Sequence, residues 1–460
     1  MMGKRNAQSS AIQMVTLEEL VPPKHFLRKL DQVLDLSFMP GIMKQIYPSE
    51  LGHPSVDGPL AVRMILLGYL YDLSEVRLCE ELGMHAGYRW FCRLDFHEKV
   101  PHRTTLVKFR GRCREHGLWE ELFHQVVTQC LDVGLLSGRH LMADSTQVQA
   151  NASIKSMQDI ESELTEAADR LCSDEAPADK PEQDDDHHHT DFHGKKFTNK
   201  THRSSTDPDA QFYRKSKGKE AKLSYKAHNL ADTKSRVIVA TSATRISGDD
   251  ARDGTQSLAL LDRFAERHGI TPKTLCADTM YGSAENIASV VARGIQPHIP
   301  LLCAEPPAIP VWKRRTYNLD HARKRREKVE QAQALRTASE LSTTQGYQLS
   351  RKLRHRIEHL FGEAKQSHGL DKARCRGLEK MQEQTTLTAT VQNLKRLVKF
   401  HDKPPKAAPN KGVVRPKASK LTSFSIFSAF RQLFRLNLRL LRHFTNSISD
   451  QFGQPAFQIT

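Results

Sequence analysis

The order of apolar patterns after Gly138 limits the folds open to this chain more than any other feature of the sequence. Short β-type runs occupy residues 140–148, 221–230 and 236–243, and a plausible hairpin turn joins the last two. The pattern then alternates between helix and strand up to residue 300 and ends in a long helix. Three strands followed by alternating helices and strands predict an α/β fold, in which helices flank a mixed sheet.

The residues before the sheet region have a helical pattern instead. Apolar residues recur at near-helical spacing over 60–71, Ser74 has the position of an N-cap, and Thr104 or Thr105 is placed to cap a later helix. Basic side chains lie along these helices at positions 77, 89, 93, 103, 108, 110 and 112. Two interpretations of this all-α region, residues 1–135, are open: a DNA-binding domain of helix-turn-helix type, and a helical bundle with a solvated basic face.

The charge balance favours a polyanionic partner. The chain has 69 Lys and Arg against 53 Asp and Glu, a formal net charge of +16, which favours nucleic acid over the weaker alternative of a membrane surface. No apolar run approaches the roughly 18 residues of a spanning helix, and the first residues lack an apolar signal core. A cytoplasmic protein without a membrane partner is therefore predicted. The eight cysteines contain no CxxC pair, so neither a disulfide framework nor a zinc ribbon is indicated.

Three carboxylates stand in contexts that predict a shared site. Asp144 and Asp278 each close a short apolar run typical of a buried strand, and Glu358 lies in a long basic helix. An aspartate after a strand is more often a turn or cap residue. Carboxylates are, however, the ligands that Mg²⁺ prefers, and two divalent cations can stabilise both oxygens of an in-line displacement at phosphorus. The combination predicts a site for Mg²⁺, or Mn²⁺ as an alternative, that cuts nucleic acid.

Glu363 is the competing glutamate on that helix. At about 100° per residue, Arg354, Glu358 and Lys365 fall on one flank of the apolar stripe that contains Ile357. Glu363 falls on the opposite flank. A flank that combines one acid with two cations suits a metal beside phosphates, which favours Glu358 as the ligand. The alternative is a surface i,i+4 pair of Arg354 with Glu358.

Together these segments resemble the DDE transposases of bacterial insertion sequences. The resemblance covers most of residues 40–400. It rests on PLAVRMILLGYLY and YRWFCRL in the helical region, on RKSKGKEAKLSYKAH in the second strand region, on ADTMYGS around Asp278 and on RIEHLFGEAK around Glu358. These contexts occur in the order that the family shows.

The signature of the family's third acid, Y-x2-R-x3-E-x6-K, is matched in register by Arg354, Glu358 and Lys365. Arg351 stands at the tyrosine position. Tyr347 lies close by but out of register, so the sequence does not carry the tyrosine's role over to a matching residue.

The resemblance implies a ribonuclease-H-like catalytic domain over residues 136–400. This domain would cut double-stranded DNA at the ends of a mobile element and join the freed 3′-hydroxyls to a target site. Asp144, Asp278 and Glu358 would be the catalytic acids and bind Mg²⁺. Contacts to DNA are expected from the basic residues Arg354, Lys365, Arg351 and Lys222. Cleavage of paired ends would need a homodimer or a larger assembly on DNA, in the cytoplasm at the nucleoid.

Two other classes of protein are open at this point. A nuclease of the same fold acting in repair or defence would keep the three acids but show no preference for paired terminal repeats. A DNA-binding protein without catalysis, derived from such an enzyme, is the second class. The intact set of acids counts against it.

Four segments stand apart from the main pattern. Residues 173–209 are polar, with almost no aliphatic side chains, which predicts a disordered insert. Residues 301–346 contain a Lys- and Arg-rich stretch that predicts a basic arm facing DNA. A basic linker is predicted over 401–420, and a basic amphipathic helix over 421–460 that docks on the body or self-associates.

Overall fold

The computed structural model describes residues 14–47, 55–160, 198–214, 220–303, 305–312 and 317–402. The predicted helix over 421–460, the linker beyond residue 402 and most of the polar insert lie outside these ranges. Residues 198–209, at the end of the predicted insert, differ from the prediction. Asp207 is 1% exposed and accepts hydrogen bonds from Tyr225 Oη and from the backbone N–H of Gly377. A buried carboxylate with two donors fixes this end of the insert.

The central sheet is built around one long strand. The strands are β1 (His140–Gln149), β2 (Met157–Asp159), β3 (His202–Ser204), β4 (Gln211–Tyr213), β5 (Lys222–Asp232), β6 (Ile238–Thr244), β7 (Thr274–Cys276) and β8 (Gln296–His298). β1 is antiparallel to β5 and parallel to β7, while β6 is antiparallel to β5 and β8 is parallel to β7. β4 also pairs with β5, next to β6, while β2 and β3 form a separate two-stranded sheet. The order β6-β5-β1-β7-β8 in the central sheet is that of a ribonuclease-H-like sheet, so the predicted fold class is confirmed.

Helices precede and cover this sheet. They are α1 (Leu17–Leu20), α2 (Phe26–Val33), α3 (Met39–Ile46), α4 (Gly58–Leu70), α5 (Glu75–Met84), α6 (Ala86–Cys92), α7 (Arg103–Glu115), α8 (Leu118–Asp132), α9 (Asp253–His268), α10 (Ala284–Ala292), α11 (Leu319–Ser342), α12 (Gln345–Ser367) and α13 (Leu378–Asp402). Helices α1 to α8 form the all-α region that precedes the sheet. Within the described ranges, none of the helices combines the length and apolarity that crossing a membrane requires.

α13, the last helix in the described ranges, is buried on nearly every side. It joins the apolar core of the N-terminal helices through Leu387, Val391, Leu394 and Val398. It also joins the core of the sheet region through Ala389 and Leu397. The Asn393 side chain donates to the backbone oxygen of Ile238 at 2.7 Å and accepts from its N–H at 2.9 Å. The N-terminal helices and the sheet therefore share one helix.

Of the two N-caps predicted in the N-terminal region, the first is confirmed and the second is wrong. Ser74 caps α5, and its hydroxyl accepts from the N–H of Arg77. α7 begins after His102, whose ring nitrogen accepts from the N–H of Thr104. Neither Thr104 nor Thr105 is the cap, because the histidine ring takes the acceptor role that a short hydroxyl or carboxylate side chain usually has.

Two of the basic residues that the sequence assigned to a DNA-facing or solvated surface are buried instead. Arg89 is 5% exposed and donates to four backbone carbonyls, those of Leu82, Asp95, Phe96 and Glu98. Arg110 is 8% exposed and pairs with Glu75 and Glu383. These two arginines hold the helical region together, so only part of its positive charge is available to a partner.

Candidate active site

Asp144, in the middle of β1, and Asp278, just after the end of β7, lie side by side on adjacent parallel strands. Met142 of β1 pairs with Cys276 of β7, and each aspartate follows two residues later in the chain. Neighbouring strands are about 4.8 Å apart, so the two carboxylates belong to one group. The structure therefore brings these two predicted site residues together.

Local hydrogen bonds orient both carboxylates. Asp144 Oδ1 accepts from the N–H of Ser145 at 2.8 Å. β7 ends at Cys276, so Asp278 lies after the strand and not within the predicted strand over 274–278. There it caps a short turn and accepts from the N–H of Thr279 at 2.5 Å. Each acid is thus held by the backbone of the residue that follows it.

Arg354 of α12 connects the third predicted acid, Glu358, to Asp144. Its Nη2 lies 3.0 Å from Glu358 Oε1, and its Nη1 lies 3.7 Å from Asp144 Oδ2. The Arg354 side chain is only 19% exposed, whereas that of Glu358 is 57% exposed. Glu358 therefore lies on the side of β1 that holds Asp144, and the Arg354 guanidinium joins the two acids.

Glu363 lies on the other flank of α12, where its carboxylate pairs with basic side chains of α13. Its carboxylate lies 2.5 Å from Lys395 Nζ and 2.9 Å from Arg396 Nη2, and 3.8 Å from His368 Nε2. Burial alone would raise the pKa of Glu363, but His368, Arg396 and Lys395 lower it well below its usual range. The arrangement makes Glu363 a link between α12 and α13.

Lys365 and Arg351, two of the predicted DNA contacts, differ in their surroundings. Lys365 Nζ donates to the backbone oxygen of Gln147 in β1 at 2.8 Å, so it ties α12 to the central strand. Arg351 is exposed, and its positive charge counteracts the burial that raises the pKa values of Cys276 and Tyr347. Arg351 therefore lies near the end of β7, on the side from which Glu358 and Arg354 approach.

Lys222, the remaining predicted DNA contact, lies away from the acids. It is the first residue of β5 and pairs with Tyr213 of β4. Asp144 pairs with Asn229 of the same strand, which is seven residues further on, or roughly 23 Å at the rise of a strand. The structure does not group Lys222 with Asp144.

Asp144 has an unusually high affinity for a proton. Burial raises its pKa to about 6, although the N–H of Ser145 and the charge of Arg354 oppose the rise, and the charges of Asp278 and Asp253 add to it. A raised carboxyl pKa means that the fold disfavours the ionised form. Burial is the largest cause of the rise, so a bound cation would favour the ionised carboxylate by supplying the compensating charge that solvent does not.

We expect Asp144→Asn to stabilise the cation-free protein at pH 8 by about 2 to 3 kcal/mol, since one pKa unit corresponds to about 1.4 kcal/mol. The folded-state pKa of about 6 lies above 3.8, the ordinary pKa of an aspartate. The extra stability of the protonated form is therefore present below the lower value and is lost as the pH rises through about 6. Urea unfolding in EDTA should show the two proteins converging towards pH 4.5. A variant no more stable than wild type at pH 8 would contradict this electrostatic account.

The three acids have side chains of the type that a hard divalent cation binds. Mg²⁺ takes oxygen ligands and keeps several waters, and Asp144, Asp278 and Glu358 offer oxygens only. Among the residues that the structure describes, no three His, Cys, Asp or Glu side chains are grouped as a metal site would require. Glu358 is paired with Arg354 instead. The buried Asp144 carboxylate, with Asp278 on the neighbouring strand, is the observation that favours a cation there.

Sequence reasoning did not select three polar residues that lie close to the acids: Lys226, His228 and Asp253. Lys226 Nζ lies 2.6 Å from Asp253 Oδ2, and His228 Nδ1 lies 3.4 Å from Asp253 Oδ1. The alternation of Lys226 and His228 along β5 was an available signal, because residues two apart on a strand share a face. Asp253 gave none, since an acid at the start of a helix needs no further explanation.

Two models of protein families match this chain. The model described as transposase domain (DUF772) matches residues 15–112, which include α1 to α6 and most of α7. The model described as transposase DDE domain matches residues 185–394, which include Asp278 and Glu358. Asp144 lies between the two matched ranges. No solved structure matches the chain significantly.

The ribonuclease-H-like sheet, the two aspartates that its adjacent strands β1 and β7 bring together and the two matches define a transposase of the DDE class. Within that class, the chain belongs to the DDE transposases of insertion sequences, as its residues predicted. This family membership implies a DNA substrate and DNA cleavage and transfer in transposition.

Proposed function

We propose that this transposase cuts DNA at the ends of its insertion sequence and joins the freed 3′-hydroxyls to target DNA. Asp144, Asp278 and Glu358 are the proposed ligands of Mg²⁺, which Mn²⁺ can replace. The observation that carries the proposal is the adjacency of the two aspartates, with Glu358 joined to Asp144 through Arg354. Hydrolysis and strand transfer are both in-line displacements at phosphorus, so one set of acids can serve both steps.

The chain's own residues have separate roles in this proposal. A cation, when bound, supplies charge stabilisation for the attacking and leaving oxygens. Arg354 orients Glu358 and adds positive charge beside Asp144. Lys365 holds α12 at a fixed distance from β1. Arg351, exposed one turn before Arg354, is the proposed contact to the DNA backbone.

α7 is the helix of the N-terminal region best suited to contact DNA. Its inner face is buried through Leu106, Phe109, Arg110 and Cys113. Its outer face exposes Arg103, Val107, Lys108 and Arg112, a combination that fits phosphates and base edges. α6, the other candidate in a helix-turn-helix arrangement, has only seven residues and is largely buried. We therefore favour α7 as the DNA-contacting helix.

The basic arm over 301–346 is a second proposed contact to DNA. The C-terminal half of α11 is anchored through Ala332, Ala334, Leu335 and Ala338. Its N-terminal half exposes Arg323, Lys324, Arg326 and Lys328, of which Arg323 lies 3.4 Å from Glu327. A helix anchored at one end and basic at the other can follow a phosphate backbone, which would make binding depend on salt.

Two ends must be cut together in such a reaction, so we propose a homodimer or a larger assembly on DNA. Its place of action is then the DNA of the nucleoid. The assembly and the place of action are both inferred from the proposed reaction.

Cleavage of DNA that carries the element's own ends tests the proposal. The DNA flanking the coding sequence should contain short inverted repeats, and linear DNA with two of them is the substrate. We expect Mg²⁺-dependent cuts at the repeat ends, which leave 3′-hydroxyls, and joined products with target DNA. Asp278→Asn should abolish cutting while a mobility-shift assay still detects DNA binding, because it removes one charged ligand.

The same assay separates the alternatives. Cutting by Asp278→Asn at the wild-type rate would overturn the assignment of the acids. Mg²⁺-dependent cutting without preference for the repeats would instead indicate a nuclease of repair or defence.

A further inference from the structure

Two exposed apolar side chains, Met280 and Leu302, lie next to the acids of the candidate active site. Met280 follows Asp278 by two residues, within the short turn Thr279–Tyr281 that Asp278 caps, and it is 72% exposed. Leu302 is 59% exposed, and its N–H donates at 3.4 Å to the backbone oxygen of Gly282, the residue that ends this turn. A substrate whose phosphate reaches Asp278 therefore passes close to this apolar pair.

The turn that contains Met280 is fixed by contacts on its inner side. Tyr281 is 3% exposed, and its backbone oxygen accepts from the side chain of Asn286 at 2.7 Å. Gly282 lies so close to the loop after β8 that an added Cβ would be 2.1 Å from the backbone oxygen of Pro300. A backbone held in this way exposes the Met280 side chain at a defined place beside the acids.

Single exposed apolar side chains are common on protein surfaces and need no explanation. The position of this pair is different, because the acids beside it are the proposed ligands of a cation that acts on a phosphodiester. Phosphates attract basic side chains, such as the exposed Arg351 near the end of β7. Apolar side chains instead contact the faces of bases. The apolar pair therefore fits a base and not a phosphate.

Base faces are accessible only where the stack of base pairs is interrupted. In a continuous duplex each base pair covers its neighbours, and a side chain that enters between them must first unstack them. A cut end exposes the face of its last base pair without that cost. The proposed reaction creates such an end at the acids, because cleavage separates the insertion sequence from its flank. The newly exposed face then lies next to the apolar pair.

We propose that Met280 and Leu302 cap the terminal base pair of the cut end and thereby retain that end for transfer to target DNA. This inference rests on the proposed function, in which the acids cut at the ends of the insertion sequence. The capped end is the product of cleavage and the substrate of strand transfer. Covering an apolar side chain of this size is enough to change affinity by about tenfold, so the protein should bind cut ends more tightly than uncut DNA.

Binding of cut and uncut ends tests the inference without any need for catalysis. Two duplexes are compared in EDTA with the full-length protein. One stops at the last base pair of the inverted repeat, and the other continues into the flanking sequence. We expect wild type to prefer the cut duplex by about tenfold. Met280→Ser and Leu302→Ser should each lower this preference by about three- to tenfold, by weakening binding of the cut duplex alone. Met280→Leu should retain the preference, because it keeps the apolar surface.

Met84→Ser is the matched control. Met84 is the last residue of α5 and is 84% exposed, so the same substitution is made at an exposed methionine of the N-terminal helical region. Any effect of this variant on DNA binding should be equal for the two duplexes. Thermal melting checks that each variant folds as wild type does.

Each outcome decides a different point. An unchanged preference in both Met280→Ser and Leu302→Ser would overturn the cap. An equal loss of affinity for the two duplexes would also overturn it, and would indicate a contact with the side of the DNA or with a second copy of the chain. Wild type that cuts at the repeats with Mg²⁺ but does not prefer the cut duplex would overturn the cap and leave the proposed function intact. Wild type that makes no such cuts would overturn the proposed function together with this inference.

Discussion

Glu358→Gln is expected to lower Mg²⁺-dependent DNA cleavage by about a thousandfold or more, with DNA binding retained. The substitution keeps the shape of the side chain but removes the charge that both a cation and Arg354 require. Loss of one charge-stabilising group at a reaction centre commonly costs about 100- to 1,000-fold in rate, and loss of a metal ligand should cost at least as much. Single-turnover cleavage of labelled element-end DNA, next to a mobility-shift assay, measures the two effects separately.

Glu363→Gln is the matched control on the same helix. It should leave cleavage within a few-fold of wild type but reduce the free energy of unfolding at pH 7 by about 2 kcal/mol, because it breaks the partly buried pairing with Lys395, Arg396 and His368. The pKa of Glu363 is lowered from 4.5, so its stabilising effect is present above that value and is lost as the pH falls below it. The difference between the variant and wild type should shrink in acid. If Glu363→Gln abolished cleavage and Glu358→Gln did not, the choice between the two glutamates would be reversed.

Glu383→Gln is expected to destabilise the protein by about 3 to 5 kcal/mol, the usual cost of leaving a buried charge without its partner. The Glu383 side chain is fully buried, at 0% exposure. One oxygen accepts from Arg110 Nε at 2.6 Å and the other from Arg114 Nη1 at 2.8 Å. Without that charge, Arg110 retains only Glu75 as an acidic partner in the described ranges. Urea denaturation followed by circular dichroism measures the loss.

Glu379→Gln, one helical turn earlier in α13, is the control for this effect. Its side chain is 89% exposed and lies 3.9 Å from Arg114, so solvent screens the pair and the change should be below about 1 kcal/mol. Equal losses in the two variants would mean that burial does not determine the strength of the Glu383 pairing.

The local patterns of the sequence predicted the sheet well, because they depend only on neighbouring residues. The alternation over 140–148 predicted β1, which spans His140–Gln149. The turn between β5 and β6 was expected at Asp232, whose carboxylate accepts from the N–H groups of Lys234 and Ser235. Side-chain spacing and turn chemistry are set by the chain itself.

Long-range pairings of charges could not be predicted in the same way. Arg110 has the same chemistry as an exposed arginine, and its partner Glu383 lies 273 residues away. The sequence does not reveal the pairing of Lys226, since only the position of α9 shows that Asp253 lies beside it. Charge alone predicts exposure, whereas these residues are buried because a distant element supplies the compensating charge.

The sharing of α13 between two cores has a consequence for biosynthesis. While the ribosome makes α1 to α8 and then the whole sheet, the apolar core of the N-terminal helices lacks the surface that Leu387, Val391, Leu394 and Val398 complete. The apolar core of α1 to α8 is therefore complete only after residues 387–398 have been synthesised. A chain shortened before α13 would expose this unfilled core to chaperones and proteases. Decayed copies of the element with such truncations should thus leave no stable fragment to compete for its ends.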